Sequence, residues 1–134
     1  MENSKEESKM DKSKKSEEFL NWVNKRRKNA RMPNKVKVSV VNHKKPGCTQ
    51  GYKIGDTWII EPHKTPNPPM CAQVYEVLRQ AIVTMGFGGE FPWDDRDVTW
   101  FTCPDPKFQQ IYEIRRLEEK VTPPKNFDKR EVVE

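Results

Sequence analysis

A chain of 134 residues has room for one compact domain and an appendage. Hydrophobic and charged residues each make up 34%, so part of the length must lie outside any core. No window approaches the apolar length of a membrane span, and Met1 to Glu6 has no apolar stretch of the secretory kind, so neither a span nor a secretory signal is expected.

Residues 1–15 come mainly from Lys, Glu and Ser, with Met1 and Met10 as their apolar side chains. Such a stretch offers too little burial to offset ordering and is expected to be a disordered charged tail. Ser16-Glu17-Glu18 reads as a helix start, and Lys25-Arg26-Arg27-Lys28 as its basic end, in accord with the helix dipole. Phe19, Trp22 and Val23 share one face of this short basic amphipathic helix, residues 16–34. Residues 1–35 hold 11 Lys/Arg and 6 Asp/Glu, while the remainder holds 14 of each, so the whole net charge of +5 belongs to this arm. A basic arm suits an acidic protein face, an anionic surface or nucleic acid, or serves as a solvated tail.

From Lys35 to Val41 the valines 36, 38 and 40 alternate with Lys37 and Ser39, the period of a half-buried strand. A loop, His43 to Gln50, leads to a second strand over Tyr52 to Ile60, with Gly55-Asp56 as a bend. The proline-rich connector Glu61 to Pro69 is extended. A helix follows over Met70 to Met85. Its Cys71, Val74, Tyr75, Leu78, Ile82 and Met85 form one apolar stripe, and Gly86 stops it.

Residues 88–95 form a turn carrying Phe91 and Trp93. A third strand, Asp97 to Cys103, puts Val98 and Trp100 on one face and Thr99, Phe101 and Cys103 on the other. The fourth, Gln110 to Leu117, puts Tyr112 and Ile114 together. Residues 118–134 read as a polar tail. The order β-β-α-β-β predicts an α+β domain over residues 35–117, one helix packed on a four-stranded sheet. Trp58, Trp93, Trp100, Phe87, Phe91 and Phe101 are the large side chains expected to fill so small a core.

The candidate chemistry is sulfur. Cys48, Cys71 and Cys103 each stand at a predicted element end, where loop chemistry sits. An odd cysteine count without export features favours free thiols in a reducing cytoplasm. A thiol at a helix amino terminus is placed for reactivity, yet Cys71 also continues an apolar stripe, and Cys103 shares a strand face with Phe101. Three thiolates with a fourth donor from His43, His63 or Asp105 would make a metal-ion site, although no C-x-x-C pair is present. Cys48 and Cys103 share a sheet end only if the first and third strands run the same way. Cys71 joins them only if the connector runs back along the sheet. Glu90, Asp94 and Asp95 beside Trp93 offer carboxylates, and Asp56 reads as a turn residue.

The stretch Gly47-Cys48 to Gly51-Tyr52-Lys53-Ile54-Gly55-Asp56, then Cys71, then Gly88-Gly89-Glu90-Phe91-Pro92-Trp93, then Cys103-Pro104-Asp105 and Glu113 to Arg116, resembles a family of small, functionally uncharacterised, mostly prokaryotic proteins. The resemblance covers roughly residues 35–117. It implies that Cys48, Lys53, Gly55, Asp56, Cys71, Gly89, Cys103 and Asp105 match the family pattern, with Tyr52 where many members have His. It implies no particular activity.

The expected role is a small binding or accessory protein. Its loop pocket, near the helix amino terminus and the 86–95 turn, would meet a partner protein or small ligand, with Cys48, Lys53, Asp56, Cys71, Glu90, Trp93, Cys103 and Asp105 as contact candidates. Two alternatives stand beside it: a thiol- or metal-dependent enzyme or redox protein using the three cysteines, and nucleic-acid binding through the basic arm.

Overall fold

The computed structural model describes the backbone of residues 2–28, 30–44 and 47–123, with side chains from residue 13 onward. The element order is α1 (Glu2–Lys28), β1 (Asn34–Asn42), β2 (Thr57–Ile60), α2 (Ala72–Gly86), β3 (Val98–Thr102) and β4 (Ile111–Lys120). Met32–Thr122 forms one compact unit, and α1 belongs to another.

Among the described residues, the first unit along the chain holds a single long helix, α1. The helix begins at Glu2 and runs through Ser16, where its start was placed. Lys and Glu are good helix formers, so a composition that rules out a core does not rule out a helix. Phe19 and Trp22 are exposed on it, and the Arg26 guanidinium lies 5.8 Å from the centre of the Trp22 ring.

The Met32–Thr122 unit is an α+β domain with an antiparallel sheet in the order β2-β1-β4-β3. Val38 faces Trp58 on one side and Ile114 on the other; Phe101 faces Tyr112. The predicted alternation of β1 holds, with Val36, Val38 and Val40 buried against α2. Trp58 and Ile60 of β2 and Tyr112 and Ile114 of β4 extend that layer. The helix answers with Val74, Leu78, Ala81, Ile82 and Met85, the stripe read from its spacing plus one alanine. Burying side chains of this size stabilises by about 1.5–3 kcal/mol each, before ordering costs.

Three local expectations change. Tyr52 to Asp56 is a loop, not the first half of β2. Gly51 and Gly55 both take positive φ there (82° and 98°), which a strand does not accommodate. β4 runs past Leu117 to Lys120, and Val121 is buried behind it with its amide on the Pro33 carbonyl at 2.8 Å. Of the aromatics expected in the core, Trp58 is buried and Phe91 and Phe101 pack against it, but Trp93 is 70% exposed, Phe87 60% and Trp100 43%. On β3 the Thr99, Phe101 and Cys103 face turns toward the core, which leaves Trp100 on the open side. Tyr112 and Tyr52 take up the space instead.

Strand direction places the site. β1 and β3 are both antiparallel to β4, so they run the same way and end at one rim. The connector after β2 starts beside the end of α2, since a Cβ on Gly86 would lie 2.5 Å from Pro62. It finishes at Cys71, whose amide donates to the Tyr52 hydroxyl at 2.8 Å. The connector therefore runs back along the sheet, and both conditions for bringing the cysteines to one end are met.

Candidate functional site

Three backbone segments meet at that rim. The loop after β1 turns at Gly47 and Gly51, both with positive φ, and closes with the Gly51 amide on the Cys48 carbonyl at 3.0 Å. The β3–β4 loop is pinned by the Cys103 amide on the Gln110 carbonyl (2.8 Å) and the Gln109 amide on the Asp105 carbonyl (2.9 Å). The two loops are joined where the Lys44 amide donates to the Phe108 carbonyl at 3.3 Å. The third segment is the start of α2, capped by Cys71 with no side-chain cap hydrogen bond. The first amides of a helix point out of its end without intrahelical partners.

Between these segments lies a hollow of about 60 Å³. Cys48, Cys71 and Cys103 all line it, with Gln50, Asp105 and Gln110 among the polar groups of its wall. Each cysteine is free and half-buried. Two of the sulfurs are engaged in the same manner. Cys48 Sγ accepts the amide of Gln50 at 3.3 Å, and Cys103 Sγ that of Asp105 at 3.4 Å. Each is a bond from the residue two positions on, and an N–H aimed at sulfur gains most when the sulfur is charged.

A buried polar network carries this wall. The Tyr112 hydroxyl donates to Gln110 Oε1 at 2.7 Å, and Gln110 Nε2 donates to the Tyr52 carbonyl at 2.8 Å. The Tyr52 hydroxyl takes the Cys71 amide, so four residues from three segments are linked. Burial raises the Tyr112 hydroxyl far above the ordinary tyrosine range, and the nearby Cys48, Cys103, Tyr52 and Cys71 add to that. Tyr112 is therefore a neutral donor. Trp58 stacks edge-on against Tyr52, with ring centres 5.1 Å apart, and lies 6.5 Å from Tyr112. Its indole N–H is buried and has no partner among the described residues.

The other candidates lie elsewhere. Lys53 and Asp56 share a turn: the Lys53 amide donates to Asp56 Oδ2 at 2.8 Å, and the Asp56 amide to the Lys53 carbonyl at 3.0 Å. Glu90 and Trp93 belong to the turn after the carboxyl end of α2 and do not line the hollow. That turn returns along β3: the Phe91 ring lies 5.8 Å from that of Phe101, two residues before Cys103. Asp94 is taken by the Thr99 hydroxyl, and Asp97 pairs with Arg116 at 3.3 Å. Asp105 does line the hollow, with Oδ1 accepting the Lys107 amide at 2.9 Å.

Among the described residues, no three His, Cys, Asp or Glu side chains are already gathered around a metal position. His43 is turned to its own loop, with Nδ1 3.1 Å from the Lys44 carbonyl. Sequence reasoning missed Gln110 and gave Tyr112 and Tyr52 no polar role. Their hydroxyls and amide look ordinary in a strand or loop until the segments meet. No helix among the described residues is long and apolar enough to cross a membrane. No family model matches the chain, and neither the curated proteins nor the solved structures yield a match.

Proposed function

We propose that the Met32–Thr122 domain is a small binding module whose site is the thiol-lined hollow at the amino end of α2. The observation that carries this reading is the shared hollow itself: thiols from a β1 loop, a helix start and a β3 loop line one cavity. Cavities that enclose drug-sized ligands measure about 300–1,000 Å³, and the share of one water is about 30 Å³. A hollow of about 60 Å³ suits an occupant of one or a few heavy atoms that sulfur recognises. The polar network supports the reading, because it holds the backbone of the wall while leaving the thiols uncommitted to any disulfide.

The test uses phenylarsine oxide, whose arsenic keeps its phenyl ring, bonds to two neighbouring thiols and releases water. One equivalent added to the reduced full-length chain is expected to shield two of the three cysteines from iodoacetamide, read by peptide mass spectrometry. Cys71→Ser is expected to weaken that shielding. Three thiols that alkylate independently, with or without the arsenical, would overturn the proposal.

A further inference from the structure

We infer that one face of α1, from Lys15 to Arg26, binds single-stranded nucleic acid: bases stack on Phe19 and Trp22, and phosphates meet the basic side chains around them. The inference concerns the unit that holds α1 and does not rest on the reading of the hollow.

Exposure is the first reason. Lys15, Phe19, Trp22 and Arg26 follow one another at steps of four, three and four residues, which sets them in one row along the helix. The two rings are 59% and 60% exposed. Ser16, Leu20, Val23 and Arg27 form a half-buried row beside them, so the aromatic pair belongs to the more open side of α1. Single exposed rings are ordinary on a protein surface, but two of them one turn apart make a continuous apolar strip.

Charge selects the partner. Lys25, Arg26, Arg27 and Lys28 fill the last turn of the helix, and the net charge of +5 lies within residues 1–35. The dipole puts only about half a negative charge at that end, which four cations outweigh. The Arg26 guanidinium lies 5.8 Å from the centre of the Trp22 ring, so a cation stands beside the stacking surface itself. Glu17 and Glu18 come before the aromatic pair, which leaves the positive side at the carboxyl end.

Spacing selects the form of nucleic acid. Three residues advance a helix by about 4.5 Å, close to the roughly 3.4 Å between nucleotides along one strand. Each ring can therefore take one of two neighbouring bases, while Lys15 and Arg26, about 16 Å apart along the axis, reach phosphates on either side. In a duplex the base faces are stacked on one another and closed to a side chain. An anionic bilayer fits less well, because a helix lying in a membrane interface buries a long apolar face. No apolar residue stands between Met10 and Phe19, or between Val23 and Ala30. The strip is one turn long, enough for two bases and too short for lipid.

The experiment follows the fluorescence anisotropy of a labelled oligothymidylate mixed with the full-length chain, at low and at physiological salt. Unlabelled oligothymidylate, its duplex with oligoadenylate, and vesicles of phosphatidylserine and phosphatidylcholine serve as competitors. Saturable binding in the micromolar range or tighter is expected at low salt, and it should weaken as salt rises, because bound counterions are released. Phe19→Ala and Trp22→Ala should each weaken binding about tenfold, and Trp22→Tyr, which keeps a stacking ring, should lose much less. Arg26→Gln should also weaken it and flatten the slope of log K against log salt by about 0.7. Phe87→Ala, which removes an equally exposed ring from the other unit, should leave binding unchanged. Absence of salt-sensitive binding, affinity that survives loss of both α1 rings, or competition by the duplex or the vesicles as strong as that of the single strand overturns the inference. Cysteine shielding by the arsenical is read on a separate unit, so the thiol module and the α1 surface stand or fall independently.

Discussion

The two ends of α2 are finished in different ways. At the amino end, side chains do the joining: Tyr112, Gln110 and Tyr52 link buried polar groups across three segments, and the thiols face the space left between them. At the carboxyl end, backbone amides and one arginine side chain do it. The Phe87 amide returns to Val83 at 3.0 Å, the Gly89 amide to Thr84 at 2.8 Å, and Arg116 Nη1 donates to the Met85 carbonyl at 3.3 Å. Gly86 lies so near Pro62 that a side chain has no room. Beyond it, Phe87 and Trp93 are left in solvent. One end is a polar framework around a small cavity, and the other is a tight backbone closure under an exposed aromatic turn. Aromatic content alone therefore does not single out the end that carries the hollow; buried polar groups joined by hydrogen bonds do.

This contrast can be broken most forcefully at Gly86. In Gly86→Ala the new Cβ would meet Pro62 at 2.5 and 2.6 Å and the Asn34 carbonyl at 3.3 Å, against a rigid ring and backbone. The expected loss is about 3 kcal/mol by urea denaturation, at the upper end for overpacking. Arsenical shielding of the cysteines should persist in the folded fraction, since the clash lies at the far end of the helix.

Tyr112→Phe strikes the other end. It leaves Gln110 Oε1 without its donor in a buried setting, and about 1–2 kcal/mol should be lost. The same variant sharpens a pH effect. Tyr112 is held protonated far above the ordinary tyrosine value, first by burial and then by the neighbouring thiols. In the unfolded chain it ionises near pH 10. Its contribution is complete below about pH 10 and is lost as the pH rises beyond it, because the unfolded state alone gives up the proton. Stability measured by denaturant should therefore fall above about pH 10 in the wild type, and less steeply in Tyr112→Phe. Equal slopes would show that Tyr112 is not the buried, neutral donor described.

The smallest effect is expected at Trp93. Its ring lies 5.2 Å from Phe91 but is mostly in solvent, so Trp93→Ala should shift stability by no more than about 0.5 kcal/mol. It should leave thiol shielding unchanged. A large change in either would show that the ring contacts from Trp93 through Phe91 to Phe101, beside Tyr112, transmit to the hollow.

Much of this fold is legible in the amino-acid order. Val36, Val38 and Val40 mark a half-buried strand because side chains alternate across a sheet. Val74, Leu78, Ile82 and Met85 mark a helix face because three- and four-residue steps return to one side. Gly86 marks its end. Where local signals compete, the pattern misleads: Tyr52 to Asp56 carries strand-like residues, but the positive φ of Gly51 and Gly55 on either side of Lys53 and Ile54 imposes a loop. Trp93, Trp100 and Phe87 have core-like side chains, and nothing local says that their positions face outward.

What the sequence determined by itself is the set of elements and the composition of the site, three thiols at element ends with Asp105 close by. Those follow from periodicity and turn chemistry, which act over a few residues. Only the tertiary structure decided that the thiols share a hollow, and that Gln110, Tyr112 and Tyr52 are its framework. That outcome depends on β1 and β3 running the same way and on the connector returning along the sheet. Strand direction and long-range hydrogen bonds are set by how the whole layer packs, and no short stretch of chain carries that information.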